Sequence, residues 1–176
     1  IRSVGYAVVH RQNEGLVTAF AADLGYRLLC PNETVYYGLS EHKRQSVGSG
    51  EDDSCPVCGQ KLAYKGLSYA NLGEFSCKCG FVRKSPSFSA DSVLPDGSFV
   101  LRAGNEKTLC VPALPGLYNI YNSAGAIAAA VTDGAAFASA VDAAQSFDCG
   151  FGRMESFPLG KRGAKMILIK NTAAAD

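Results

Sequence analysis

The sequence predicts an α/β fold interrupted by a small metal-binding ribbon. Three observations carry this expectation. Short β-branched apolar runs near the start alternate with a stretch of helical apolar spacing, as in a layered sheet-and-helix domain. Four cysteines, Cys55, Cys58, Cys77 and Cys79, fall into two close pairs separated by roughly twenty residues. Beyond them, three alternating segments give way to two Ala-rich helical ones.

Residues 1–50 are expected to form the tail of the α/β sheet. Tyr6-Ala7-Val8-Val9-His10 is a short β-branched apolar run and predicts a buried strand. From Gly15 to Leu24 the apolar side chains Leu16, Val17, Phe20 and Leu24 follow helical spacing, and Gly25 stands where a helix end favours glycine. Arg27–Cys30 and Val35–Leu39 predict two further strands. From Ser40 to about Asp53 the composition turns polar, with Glu41, His42, Lys43 and Arg44 together, and reads as an exposed connection into the cysteines.

Residues 51–88 are expected to form an inserted four-cysteine zinc ribbon. Cys55-Pro56-Val57-Cys58 and Cys77-Lys78-Cys79 each offer two thiolate corners of a tetrahedron, which suits Zn2+ ahead of iron. Gly59 and Gly80 permit the tight backbone after each pair. Lys61–Tyr64 and Glu74–Ser76 read as the ribbon strands. The second pair is C-x-C, one residue short of the usual C-x-x-C, and the competing reading is four reduced thiols or a redox pair. A catalytic metal needs an open coordination position beside groups such as His and Glu; none stands nearby, so the zinc is expected to be structural. Cys30, Cys110 and Cys149 sit singly among apolar neighbours and are expected to be buried thiols.

Residues 89–176 begin with three predicted strands, Ser89–Val93, Ser98–Arg102 and Thr108–Val111. Turns at Pro95-Asp96-Gly97 and Gly104-Asn105 make them an antiparallel meander. Helices are predicted over Asn119–Val131 and Ala135–Phe147, then strands over Phe151–Phe157 and Lys165–Lys170 joined through Gly160-Lys161-Arg162-Gly163. Asn119 and Asn122, three apart on a helix, share a side, and a carboxamide matches the donor and acceptor edge of an adenine. Asn119 reads equally well as a plain N-cap, whereas Asn122 inside an Ala-rich helix caps nothing. On a strand, Arg153 and Glu155 share a face, fit for a phosphate or ribose, or for a surface ion pair. Lys170-Asn171 closes an apolar strand, where α/β ligands bind.

Bulk properties exclude several classes. In 176 residues, 47% are hydrophobic and 19% charged, ordinary for a globular domain. A net charge of +1 leaves no footprint for nucleic acid. No apolar stretch reaches membrane-spanning length, so no transmembrane segment is expected. Seven cysteines, an odd number with four clustered, suit a reducing compartment. The chain opens at Ile1 without methionine and stops at Ala173-Ala174-Ala175-Asp176, just after the apolar Met166–Ile169. A fragment of a longer polypeptide is therefore expected.

Taken in order, these motifs resemble the Mur ligase family. They are the cysteine ribbon, Leu114-Pro115-Gly116-Leu117-Tyr118-Asn119 with Asn122 and Gly125-Ala126, Phe151-Gly152-Arg153-Met154-Glu155, and Ile167-Leu168-Ile169-Lys170-Asn171. Gln12-Asn13-Glu14 stands where the family often has an Asn-Ala-Asp-Asp-Pro turn, and Val35–Leu39 matches the strand after it. The ribbon singles out the MurT branch, the Mur-ligase-like subunits of lipid II isoglutaminyl synthases. The resemblance implies the later part of a Mur ligase central domain, reaching the hinge to a C-terminal domain. It implies ATP and Mg2+ as cofactors of the whole enzyme, with Asn119 and Asn122 at the adenine, Arg153 at the ribose or phosphates, and Lys170-Asn171 at the hinge. It also implies the family reaction. ATP phosphorylates the α-carboxylate of D-glutamate in lipid II, and ammonia from a GatD-type glutamine amidotransferase converts the acyl phosphate to D-isoglutamine. The setting implied is the cytoplasm, at the inner face of the membrane.

The departures are specific. The family's G-x-x-G-K-[ST] phosphate loop and acidic magnesium segment are absent from these residues, as is the C-terminal domain carrying the catalytic aspartate. Thr172 stands where proline is expected after Lys-Asn. No catalytic residue is therefore assigned here, and these residues alone are not expected to turn over ATP. The other readings are a Mur-type ligase that adds an amino acid, and a zinc-ribbon module that binds a protein.

Overall fold

The computed structural model describes residues 6–11, 15–22, 33–42, 54–69, 72–147 and 155–166. Strand β1 (Tyr6–Arg11) pairs antiparallel with β2 (Gly15–Ala21), Tyr6 facing Phe20 and Arg11 facing Gly15. The helix predicted from Gly15 to Leu24 is thus corrected to a strand as far as Ala21. Leu16, Val17 and Phe20 fit helical spacing, but Val17 and Thr18 are β-branched and the segment pairs along almost its full length with β1. The predicted strand at Arg27–Cys30 lies outside the described residues.

Strand β3 (Glu33–Leu39) lies parallel to β2, with Ala19 facing Val35. The chain then builds an antiparallel hairpin, β4 (Ala63–Tyr69) and β5 (Leu72–Ser76), before rejoining the sheet as β6 (Phe88–Asp91). β6 pairs parallel with β3, Tyr37 facing Phe88. Parallel neighbours need a crossover connection, usually a helix. Here the cysteine hairpin lies within that crossover. The predicted meander follows as β6, β7 (Phe99–Ala103) and β8 (Glu106–Cys110), all antiparallel, so the sheet runs β1-β2-β3-β6-β7-β8.

Two helices, α1 (Leu117–Thr132) and α2 (Phe137–Gln145), close the core. α1 buries Ile120, Tyr121, Ala124, Ile127 and Ala128, a stripe at helical spacing. That stripe meets Tyr37, Leu39, Phe88, Phe99 and Leu101; Phe99 and Leu101 have no exposed surface at all. Gly125 lets the helix down onto β3: a Cβ there would sit 2.8 Å from Cζ of Tyr37. Cys110 is buried as predicted, and loss of water pushes its thiol up to about 11. Beyond α2, β9 (Glu155–Leu159) and β10 (Arg162–Met166) form a separate antiparallel hairpin turning at Gly160. Both strands reach further towards that turn than predicted, to Leu159 and from Arg162, and residues 151–154 and 167–170 of the predicted spans lie outside the described residues. Among the described residues no helix is long and apolar enough to cross a membrane.

On the sheet, Asp91 accepts from both Nε and Nη2 of Arg102 at 2.8 Å, and Ser89 Oγ donates to its other oxygen at 2.9 Å. Burial opposes the anion, but Arg102 first, then Ser89 and Ser40, hold the carboxyl below the usual range. The stability this adds is complete above about pH 4, where an unfolded Asp is ionised, and is lost as pH falls through the lower folded value. Denaturant melts from about pH 5 down to about pH 2 should show a steeper loss for the native protein than for Arg102→Gln. Parallel curves would mean that the pair adds nothing.

Candidate metal centre and the asparagine helix

The ribbon is organised around its four thiols. Two turns bring them together: the Gly59 N–H donates to the Cys55 carbonyl at 2.8 Å, and the Gly80 N–H to the Cys77 carbonyl at 3.0 Å. Both glycines take positive φ, 73° and 92°. The four Sγ atoms lie within 4.8 Å of one another, with Cys55–Cys79 at 3.6 Å and Cys58–Cys77 at 3.5 Å. Zinc–sulfur bonds of about 2.3 Å place tetrahedral sulfurs about 3.8 Å apart, so the cluster has the size of a site with four thiolate ligands. The shortened C-x-C pair still places both its sulfurs in the group. Four soft donors with no carboxylate or imidazole among them could hold a thiophilic ion.

The thiols are not equivalent. Burial works against the Cys55 anion, but the N–H groups of Val57 and Cys58 and the thiols of Cys79 and Cys77 outweigh it and draw Cys55 down to about 7. At Cys58 the Gln60 N–H favours the anion, yet loss of hydration and the Cys77, Cys79 and Cys55 sulfurs push it up to about 12. Cys79 is raised as well: the Phe81 N–H favours its anion, but lost hydration and Cys77 outweigh it. A bound divalent ion allows every thiol to ionise.

A small apolar cluster backs the thiols. Cys55, Leu62 and Phe75 are buried, Phe75 stacks on Phe81 at 5.3 Å, and Tyr64 meets Phe75 edge-on at 6.3 Å. That is too little apolar surface to hold a fold unaided. The opposite end of the hairpin joins the main core, where Leu72 packs with Tyr37 and Leu39. Three contacts fasten it there. His42 Nδ1 and Ser68 Oγ are 2.5 Å apart, Arg83 Nη2 donates to the Leu39 carbonyl at 2.5 Å, and Gly66 lies so close to His42 that a Cβ would come within 2.6 Å of its carbonyl oxygen. These fastenings have no signature in the spacing of His42, Ser68 and Arg83; only the sheet topology brings them together.

The asparagine pair is also assembled. Gly116, at φ 106°, occupies the N-cap of α1, so Asn119 does not cap the helix. It is buried instead, donating from Nδ2 to the Pro115 carbonyl at 2.8 Å and accepting from Nδ2 of Asn122 at 3.2 Å. The two share a side as their spacing predicts, with Asn122 on the exposed rim. Asn119→Ala strands the Pro115 carbonyl and should cost about 1 kcal/mol in chemical denaturation. Unchanged stability would show the bond to be idle. Arg153, Lys170 and Asn171 lie outside the described residues.

Comparisons with known proteins agree with this architecture. No family model matches the chain. The MurT subunit of lipid II isoglutaminyl synthase (glutamine-hydrolyzing) from Staphylococcus aureus is 28% identical over 169 residues, 93% of this chain. The Streptococcus pneumoniae MurT is 32% identical over 162 residues, 86% of it. A pseudomurein peptide ligase type C from Methanothermus fervidus superposes with a TM-score of 0.77 at 29% identity, over 89% of the chain. The chain is Mur-ligase-like. It spans 38% and 35% of the lengths of those two MurT relatives, and 32% of the solved ligase. As a Mur-ligase-like chain it combines parallel and antiparallel pairing in one sheet with a four-cysteine cluster off one connection.

Proposed function

We propose that this Mur-ligase-like chain is part of an ATP-dependent carbon–nitrogen ligase. Its reaction is amidation of the α-carboxylate of D-glutamate in lipid II to D-isoglutamine, through an acyl phosphate attacked by ammonia from a GatD-type glutaminase partner. The observation that carries this reading is the similarity to MurT along most of the chain. Cys55, Cys58, Cys77 and Cys79 hold a structural zinc ion, which crosslinks the two turns of the ribbon. Asn119 and Asn122 face the adenine of ATP, Arg153 its ribose or phosphates, and Lys170-Asn171 the hinge. Mg2+ and the phosphate loop belong to parts of the enzyme beyond these residues. Residues 51–88 act as an insertion between the two parts of the central domain, residues 1–50 and 89–176. The work is done at the cytoplasmic face of the membrane, on the lipid-linked substrate.

A second reading has its own support. The solved neighbour is a peptide ligase, which makes an amino acid the alternative trap for the acyl phosphate. One experiment separates the two. The full-length protein and its glutaminase are incubated with lipid II, ATP, Mg2+ and glutamine, then with single amino acids, and the product is weighed by mass spectrometry. Amidation exchanges a carboxyl for a carboxamide and requires glutamine or ammonia. A gain of an amino-acid residue, or ATP-independent turnover, overturns the first reading.

A further inference from the structure

The metal end and the core end of the ribbon are joined by one short hairpin. At the metal end, Cys55 and Phe75 share a cluster, and the Arg83 N–H donates to the Phe75 carbonyl at 3.1 Å. The same Arg83 extends its guanidinium to the carbonyl of Leu39, the last residue of β3. At the core end, Leu72 packs with Tyr37 and Leu39, and Ser68 meets His42 just past β3. These fastenings all land on β3 or on the residues that directly follow it. β3 in turn carries Tyr37, whose ring lies under Gly125 of α1, the helix that presents Asn119 and Asn122.

We propose that the ribbon is a metal-dependent strut: metal binding at the four cysteines sets the carboxyl end of β3 and, through Tyr37, the seating of α1. Three steps carry the argument. The ribbon's own apolar cluster is too small to stay ordered alone, so its order depends on the metal. A disordered ribbon cannot keep Arg83 at the Leu39 carbonyl, because the same residue is anchored by its backbone to β5. β3 then loses a restraint at its carboxyl end, whereas β7, β8 and α2 supply none of the residues named in these fastenings. The effect is therefore regional. The inference concerns the protein's own order and needs neither ATP nor an assigned reaction; it rests on the proposed zinc site alone.

Hydrogen exchange on the full-length protein, zinc-loaded and after chelation, reads it directly. Chelation is expected to speed exchange about tenfold or more in the ribbon, in β3 and in the α1 turns around Gly125, leaving β7 and α2 unchanged. A change confined to the ribbon overturns the strut, and so does uniform loss of protection, which would make the metal a condition of folding as a whole. Arg83→Gln separates transmission from metal binding. It is expected to retain stoichiometric zinc and ribbon protection, yet to speed exchange at β3 and α1. If β3 and α1 stay protected in that variant, the route through Arg83 is wrong. Failure of lipid II amidation in a separate assay would leave these exchange results untouched.

Discussion

Cys55→Ser is expected to abolish stoichiometric metal binding and to unfold the ribbon, the largest effect of any single change here. Cys55 is the most buried of the four clustered cysteines, and its thiol is drawn down to about 7 while those of Cys58 and Cys79 are raised. Its loss removes a corner of the tetrahedron and leaves three thiols to compete with water. Structural zinc sites contribute about 10–16 kcal/mol of apparent binding free energy in small peptides, far more than Leu62, Phe75 and their neighbours supply by burial. Metal analysis of reduced protein should give one zinc per chain for the native sequence and none for the variant. Cys110→Ser is the matched control: this thiol is buried, stays protonated and lies outside the cluster, so zinc should be retained. Equal zinc content in Cys55→Ser and native protein would sink the site.

Much of the architecture was legible because its signals are local. Alternation over Ser98–Arg102 and Thr108–Val111, with turn residues between, places the meander within a residue or two of β7 and β8. The Ala-rich helices are legible for the same reason. Leu16, Val17 and Phe20 were not, because their spacing serves a helix face and a buried strand alike. Pairing with Val9 and its neighbours decides between them, and spacing within the segment does not contain that contact.

The candidate site divides in the same way. Four cysteines at ribbon spacing announce their own cluster, because the ligand set is written in two short runs. The asparagine pair shares a side as its spacing requires, yet the N-cap fell to Gly116, since the helix begins two residues before Asn119. What could not be read was where the ribbon attaches. That depends on β3 and β6 lying side by side, a parallel pairing between residues about fifty positions apart. The ribbon thus takes the place of a crossover element, and its attachment to the sheet follows from topology alone.

Gly125→Val should destabilise the protein by about 2–3 kcal/mol, by forcing α1 off β3. The magnitude comes from two opposed effects. Replacing a helical glycine regains up to about 1 kcal/mol of backbone entropy, so Gly125→Ala alone is a blurred test. At this position, however, the first added carbon already sits 2.8 Å from Tyr37 Cζ and 3.0 Å from its hydroxyl oxygen. Valine adds two more methyl groups to the same space and, being β-branched, regains less propensity. The ring cannot retreat easily, because Tyr37 is 4% exposed and wedged among Leu39, Leu72 and Phe88. The double mutant locates the cause: on a Tyr37→Leu background, which shortens the side chain below the glycine, the penalty of Gly125→Val should shrink by about 1 kcal/mol or more. Additive losses would place the strain elsewhere on α1. A coupled pair would show that β3 and the asparagine helix meet through this contact, where the added methyl groups have nowhere else to go.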